Sequence, residues 1–274
     1  MTQDSGLKTQ DSCRYIYCIM PTTKKNNFGN IGINKGNVYA ISYKDVSVLA
    51  HNCRPEPYKG RDTDVVAWVM EHSNVVETTW DLVGTVIPMR FDVIVTPGGL
   101  KTADEHVIEW LQSEYDTLKL KLEEFRDKAE FGIQVFWEFK ILSLAIAEEN
   151  EDTNKLRQEM NTKTDGVAYF CRQKIEKLLK QELEKKADEY YHKFLTQTRR
   201  SVEDIHIAKV KKNGDRDMLM DISVLIRKDR IKELGRELGR IKKETGLDVR
   251  FTGPWPPYSF VTSLSMSCGT NAYQ

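Results

Sequence analysis

The segment CRYIYCIM, residues 13–20, most constrains how this chain can fold. Aromatic and aliphatic side chains occupy both its odd and its even positions, so an extended strand here would be apolar on both faces. Such a strand has to be covered on both sides, which indicates a central position in a sheet. Pro21 is expected to end it, because proline donates no hydrogen bond to a sheet. The 274 residues are enough to build the core that this strand requires.

The following residues predict an N-terminal α+β domain. Residues 30–53 contain two β-rich runs with turn-forming residues at 34–37, a pattern typical of an antiparallel meander. Apolar residues recur at helical spacing over 64–77 and predict one helix that covers the sheet. A β-branched run returns at 85–99 and ends in Pro97-Gly98-Gly99. We expect this turn to be the boundary of a first domain that covers residues 13–99.

The rest of the chain predicts a second domain, residues 100–262. Residues 102–105, TADE, are a capping-box pattern and indicate a single long amphipathic helix that runs to Phe125. Four segments follow: a strand at 131–141, a strand at 216–228, a helix at 229–245 and a strand at 247–251. Charged helical sequence at about 143–198 interrupts them. The order predicts a ferredoxin-like domain with a helical insertion, and an α+β class for the two-domain chain.

Composition excludes several classes of protein. Lys plus Arg and Asp plus Glu both number 41, so no net charge attracts the chain to nucleic acid or to an anionic membrane. No stretch of 18 apolar residues and no signal-peptide pattern are present, which argues against a membrane span. Five scattered cysteines suggest reduced thiols, and we therefore expect a cytoplasmic protein. Residues 1–12 are expected to be a flexible N-terminus, and 263–274 a C-terminal tail.

Residue types that perform catalysis occur without recognisable partners. His51 lies near Cys53, but no third group completes a nucleophile and base arrangement. Neither a paired metal-binding motif nor a phosphate-binding glycine loop is visible, and no cofactor is expected. An alternative remains: a small-molecule-binding enzyme on a ferredoxin-like scaffold, with Arg90 and His51 as its polar groups.

The segment RFTGPWPPYSFV, residues 250–261, contains three prolines within four positions. Each fixes φ and lacks a backbone donor, so the segment is stiff and cannot lie in the middle of a sheet. Two interpretations are open. The segment is either a strap that packs Trp255 and Tyr258 at the seam between domains, or a ligand displayed for an aromatic groove of a partner. We favour the strap.

Two motifs resemble a known family. The segment FTGPWPPYSFV, after a strand–helix–strand unit, resembles the C-terminal signature of the gas vesicle protein F/L family, and residues 87–91, IPMRF, resemble that family's Leu-Pro-Leu-Arg-Phe-like strand. Three shorter segments are also similar to family elements: YIY at 15–17, EFGIQV at 130–135 and GVAYF at 166–170. The similarity therefore covers roughly residues 13–262. Asp92 departs from the pattern, because a small residue commonly follows the Arg-Phe pair.

The resemblance implies a non-enzymatic accessory or minor structural protein of gas vesicle assembly. Such a protein would bind the hydrophobic shell protein and other gas vesicle accessory proteins, in the cytoplasm and at the gas vesicle. An apolar shell subunit aggregates unless something covers it, so a covering role is physically reasonable. The candidate interaction residues are Arg90, Phe91, Trp255, Pro256, Pro257, Tyr258 and Phe260.

Overall fold

A computed structural model describes residues 12–162, 165–208 and 217–261. The chain forms two compact units, one comprising Met1–Glu130 with Pro254–Gln274 and the other Phe131–Gly253. Each unit combines helices with a sheet, which confirms the predicted α+β class. The predicted flexible N-terminus, apart from Ser12, and the predicted C-terminal tail lie outside the described residues.

The sheet of the first unit is built around the strand that the sequence predicts to be central. Its strands are β1 Cys13–Pro21, β2 Asn27–Gly29, β3 Val38–Tyr43, β4 Val46–Cys53, β5 Ile87–Pro88 and β6 Ile94–Val95. Their order is β2-β3-β4-β1-β5, and β6 also pairs with β1. The first eight residues of β1 are buried, which confirms its central position. Pro21 is its last residue and lies opposite Val46.

Three helices cover this sheet: α1 Asp62–Val83, α2 Ala103–Ser113 and α3 Tyr115–Phe125. Tyr15 of β1 contacts His72 of α1, whereas the neighbouring Arg14 forms an ion pair with Asp104 of α2. Successive strand residues point to opposite faces, so α1 and α2 lie on opposite faces of the sheet. Two layers of helix thus bury both faces of β1.

The helix predicted to run without interruption from residue 102 to Phe125 is two helices. The predicted capping box is present: Thr102 accepts from the Glu105 amide, and the Glu105 carboxylate accepts from the Thr102 amide. Glu114, with φ −100° and ψ 6°, separates α2 from α3. Each of the two helices buries its own apolar side chains and contacts strands of the first sheet.

The boundary predicted at Pro97-Gly98-Gly99 differs from the observed division. Gly98 and Lys101 form an isolated antiparallel bridge, and Gly99 has φ 63°, so the segment is a tight turn. Because α2 and α3 pack on strands of the first sheet, the first unit continues to Glu130. The Pro-Gly-Gly segment is therefore a turn inside the first unit.

The second unit contains the predicted ferredoxin-like arrangement. The strands of its sheet are β7 Lys128–Trp137, β8 Asp204–Ile207, β9 Asp217–Arg227 and β10 Leu247–Trp255, of which β7 begins and β10 ends in the first unit. Its helices are α4 Phe139–Glu149, α5 Glu151–Thr162, α6 Asp165–Arg199 and α7 Ile231–Ile241. The strand order is β10-β7-β9-β8, which is fourth, first, third, second along the chain. β8 and β9 are antiparallel neighbours, and α7 connects β9 to β10, as in a split β-α-β fold.

The helical insertion, expected at about 143–198, corresponds to helices between Phe139 and Arg199. Helices α4, α5 and α6 occupy it, and α6 spans 35 residues, a length of roughly 50 Å. The strand predicted at 131–141 ends at Trp137, because α4 begins two residues later. No helix in the described ranges combines the length and apolar character needed to cross a membrane.

Candidate interaction site

The C-terminal segment, residues 254–261, starts with the last two residues of β10 and is anchored in the first unit. Pro256, Pro257 and Phe260 are buried. The amide of Ser259 donates to the Glu130 carboxylate at 2.8 Å, and the Ser259 hydroxyl donates to the same group at 2.6 Å. Two hydrogen bonds to one side chain and three buried apolar side chains therefore hold the segment in one place.

Tyr258 places the C-terminal segment next to α1. Burial raises the pKa of its phenol, and the nearby Ser73 hydroxyl of α1 partly opposes that increase. No hydrogen bond within the usual geometric limits joins the Tyr258 hydroxyl to a described residue. Glu77, one helical turn beyond Ser73, also acts electrostatically on the phenol. The segment therefore lies beside the Ser73 and Glu77 positions of α1.

Trp255 lies in the exposed start of this segment. Its side chain is 42% exposed, so the expected burial of Trp255 is wrong. The reason is its position at the end of β10, an edge strand whose residues 250–255 are all exposed. The edge position also tolerates Pro254, which has no amide to donate. The chain presents Trp255 to solvent immediately before it becomes buried at Pro256.

Arg90 and Phe91 follow β5 and differ in exposure. Arg90 is exposed, whereas the half-buried ring of Phe91 packs against Tyr15, Tyr58 and His72 with centroids 6.1–6.2 Å away. Phe91 therefore extends an aromatic cluster in the interior of the first unit. Arg90 stands at its surface.

Asp92 has a structural explanation. Its φ of 70° lies in the left-handed region, where a small residue or Asp is favoured. Its carboxylate accepts from the Tyr58 amide at 3.1 Å, and its own amide donates to the Tyr15 hydroxyl at 3.1 Å. Asp92 thus provides both the turn and two hydrogen bonds that hold the loop around Tyr58.

Two buried histidines connect this aromatic cluster. His72 donates from Nε2 to the Met89 carbonyl at 3.1 Å, so its Nδ1 accepts from the Tyr15 hydroxyl at 2.9 Å. His51 hydrogen-bonds the hydroxyls of Tyr17 and Tyr58 at 2.9 and 3.2 Å. Burial lowers the pKa of each imidazole to about 4. Both histidines are therefore neutral at pH 7, with both ring nitrogens already hydrogen-bonded.

Glycines permit the close packing around His51. A Cβ at Gly36 would lie 2.6 Å from Cδ2 of His51, and one at Gly32 would lie 2.7 Å from the Tyr17 hydroxyl. Between them, the Ile33 amide donates to that hydroxyl at 2.8 Å. Residues 32–36 therefore pack closely against Tyr17 and His51 of the aromatic cluster.

The structure brings both groups of predicted site residues to α1. Phe91 packs on His72, and Tyr258 lies beside the adjacent Ser73. These groups are far apart in the sequence, and no local pattern predicts their common neighbour. The folded chain therefore joins the two family motifs through one helix.

α1 also carries an apolar surface that the sequence analysis missed. Val66, Val69 and Met70 are 58%, 38% and 61% exposed, and we call them the α1 apolar face. Val66 and Met70 share one side of the helix with Ser73 and Glu77, because these positions are three or four residues apart. The C-terminal segment lies beside the second half of that side and leaves the first half open. In the sequence, the signal for this surface is a pair of apolar residues four positions apart, Val66 and Met70, which lie away from the side of α1 that is predicted to be buried.

Comparisons with known proteins agree with this architecture. Fold and surface define a class of α+β proteins with two sheets and an exposed apolar helix face. Residues 13–262 match the family model described as gas vesicle synthesis protein GvpL/GvpF, and the chain belongs to that family. This confirms the resemblance found in the sequence and gives the chain a role in gas vesicle formation.

Curated relatives and solved structures are similar along almost their full lengths. The chain is 26% identical to gas vesicle protein L of Haloferax mediterranei, with 94% of this chain and 90% of that protein covered. It is also 26% identical to gas vesicle protein L1 of Halobacterium salinarum, with 94% and 93% covered. The crystal structure of GvpF from Anabaena has a TM-score of 0.70 at 18% identity and covers 92% of this chain and 99% of its own. That of GvpF from Microcystis aeruginosa has a TM-score of 0.64 at 19% identity, with 92% and 100% covered.

Proposed function

We propose that this chain is an accessory protein of gas vesicle assembly that binds the hydrophobic shell protein and limits its aggregation before the shell protein enters the wall. It would act in the cytoplasm and at the growing gas vesicle, together with other gas vesicle accessory proteins. The observation that carries the proposal is the α1 apolar face, because soluble proteins rarely leave adjacent large apolar side chains uncovered without a partner.

The shape of this surface suits an apolar partner segment. Val66 and Met70 are one helical turn apart, and Val69 lies beside them, so together they form a short ridge along α1. An apolar helix or strand of the shell protein can pack along such a ridge. The neighbouring part of α1 is occupied by the C-terminal segment, which fixes the helix and limits the length of the open surface.

Trp255 and Arg90 are proposed to contribute at the margin of this interaction. Trp255 combines a large exposed ring with a backbone held by the buried Pro256, so little conformational entropy would be lost on binding. Arg90 is an exposed cation beside the half-buried Phe91 and would contribute to a polar rim. Pro257, Tyr258 and Phe260 would act indirectly by holding the C-terminal segment in position.

A double substitution tests the α1 apolar face. We expect Val66→Ser with Met70→Ser to weaken capture of the shell protein by at least about tenfold, since about 1.4 kcal/mol of lost apolar contact has that effect. Stability should stay within about 0.5 kcal/mol of the wild type, as for ordinary surface changes. Co-expression with tagged shell protein, followed by pull-down and measurement of soluble shell protein, gives both binding and protection from aggregation.

Leu82→Ser is the matched control for this experiment. Leu82 is 54% exposed on the same helix but lies on a different side from Val66 and Met70. It should retain wild-type capture. An equal loss of capture in the control and the double variant would indicate nonspecific apolar binding by α1. Unchanged capture in both would contradict binding through this face.

The enzyme alternative receives less support from the same residues. Both nitrogens of His51 are hydrogen-bonded to tyrosine hydroxyls, which leaves no lone pair to accept a proton from a substrate. Arg90 lies at the surface, and His51 lies in the buried cluster. The two polar groups named for an active site therefore have different environments and separate structural explanations.

A further inference from the structure

Two cysteines lie directly opposite each other in the first sheet. Cys13 is the first residue of β1, Cys53 is the last residue of β4, and the antiparallel register makes them Cα partners. Opposite residues in such a ladder project to the same face, with Cα atoms about 4.5 or 5.5 Å apart according to the type of pair. Both separations fall within the range of about 4.4–6.8 Å that a disulfide spans.

The other described cysteines lack this relationship. Cys18, also on β1, has Leu49 and Pro88 as its register partners, and Cys171 lies on α6 in the second unit. All four described cysteines are free thiols. Among them, only Cys13 and Cys53 meet the geometric requirement through paired strands.

The environment of the pair allows access from one side. Cys13 is buried, whereas Cys53 is half-buried at the end of its strand. Burial raises the pKa of both thiols, that of Cys53 to about 12, and the positive charge of Arg14 partly opposes the increase. The partial exposure of Cys53 lets a small oxidant reach this thiol first. The raised pKa leaves little thiolate at pH 7, so the reaction is slow there and should accelerate as the pH rises.

We infer that Cys13 and Cys53 form an oxidisable thiol pair, a modification site at which a peroxide converts the two free thiols to a disulfide. The Cys53 thiolate attacks one oxygen of hydrogen peroxide, which gives a sulfenic acid and hydroxide. The hydroxide takes up the proton released by the Cys53 thiol and becomes water. The Cys13 thiol then attacks the Cys53 sulfur, forms the S–S bond and releases the second water. Two thiols are oxidised and one peroxide is reduced.

The disulfide would fasten the start of β1 to the end of β4. It closes a loop of roughly forty residues. This loop contains β2, β3 and residues 32–36, which pack against Tyr17 and His51. Because cross-links restrict the unfolded chain more than the folded one, the thermal midpoint should rise by roughly 5–10 °C. The site is independent of the proposed binding of the shell protein.

Peptide mapping of the full chain tests this inference. The purified protein is treated with hydrogen peroxide at pH 7 and pH 9, free thiols are alkylated, and the digest is analysed by mass spectrometry. We expect a linked pair of peptides that contains Cys13 and Cys53, about 2 Da lighter than their sum, with faster formation at pH 9. Cys171 should remain alkylated. The rise in thermal midpoint should disappear after treatment with dithiothreitol.

Two variants serve as controls. Cys53→Ser should abolish both the linked peptides and the thermal shift, and Cys171→Ser should retain both. Linkage of Cys53 to Cys268, which lies outside the described residues, would overturn the inference. Full alkylation of Cys13 and Cys53 after peroxide treatment would overturn it as well, as would oxidation of Cys53 to a sulfinic acid without a link.

Discussion

Acidification from pH 7 to pH 4 is expected to destabilise the first unit by several kcal/mol through His51 and His72. Burial lowers the pKa of each from 6.5 to about 4 in the folded chain. Between these values the unfolded chain binds up to two more protons than the folded chain. The stability contributed by the two neutral histidines is therefore fully present above about pH 6.5 and is lost as the pH falls towards 4. Each histidine contributes a slope of up to about 1.4 kcal/mol per pH unit.

Hydrogen exchange of amides in β1 and β4 measures this effect within the first unit. Opening free energies, corrected for the intrinsic exchange rate, would be determined from pH 7 to pH 5 for the wild type and for His72→Gln. The variant should be less stable at every pH, because the Met89 carbonyl and the Tyr15 hydroxyl lose their hydrogen bonds to His72, and its slope against pH should fall by about half. The exposed His192→Gln on α6 serves as the control for removing a histidine. An unchanged slope in His72→Gln would contradict the assignment of a neutral buried His72.

The sequence predicts those structural elements that are determined by a few neighbouring residues or by the order of elements along the chain. Residues 13–20 are apolar on both faces, and the strand they form is central. The Thr102 and Glu105 pair forms the capping box that their spacing predicts. The order of strands and helices after residue 130 indicates the ferredoxin-like arrangement, since few topologies connect such elements without crossing, but the strand β8 is not predicted from the sequence. In each case, the information lies within a few residues or in the order of elements.

Features that depend on distant contacts are not predictable in this way. The helix periodicity continues through Glu114, whereas the two helices on either side of it each pack on strands of the first sheet. Pro97-Gly98-Gly99 has the composition of a boundary, but the two helices after it pack on the preceding strands. The α1 apolar face can be recognised only when it is known which other side of α1 packs within the same chain. Local patterns do not specify which apolar side of a helix finds a partner in the same chain.

Phe260→Ala is expected to have a much larger effect on stability than Trp255→Ala. Phe260 is 5% exposed, and removing a buried phenylalanine costs about 3–5 kcal/mol. Trp255 is 42% exposed, so its removal should cost about 1 kcal/mol or less. The difference would appear in denaturant unfolding of the two variants beside the wild type.

Capture of the shell protein is measured on the same preparations. It distinguishes a residue that anchors the C-terminal segment from one that contacts the shell protein. Trp255→Ala should weaken capture while the protein remains folded, because the exposed ring is removed and the buried Pro256 and Phe260 still hold the backbone. Phe260→Ala should weaken capture only as far as it unfolds the C-terminal segment, so added osmolyte that restores folding should also restore binding. Normal capture by Trp255→Ala would remove Trp255 from the proposed interaction. A Phe260→Ala protein as stable as the wild type would show that Phe260 does not anchor the segment.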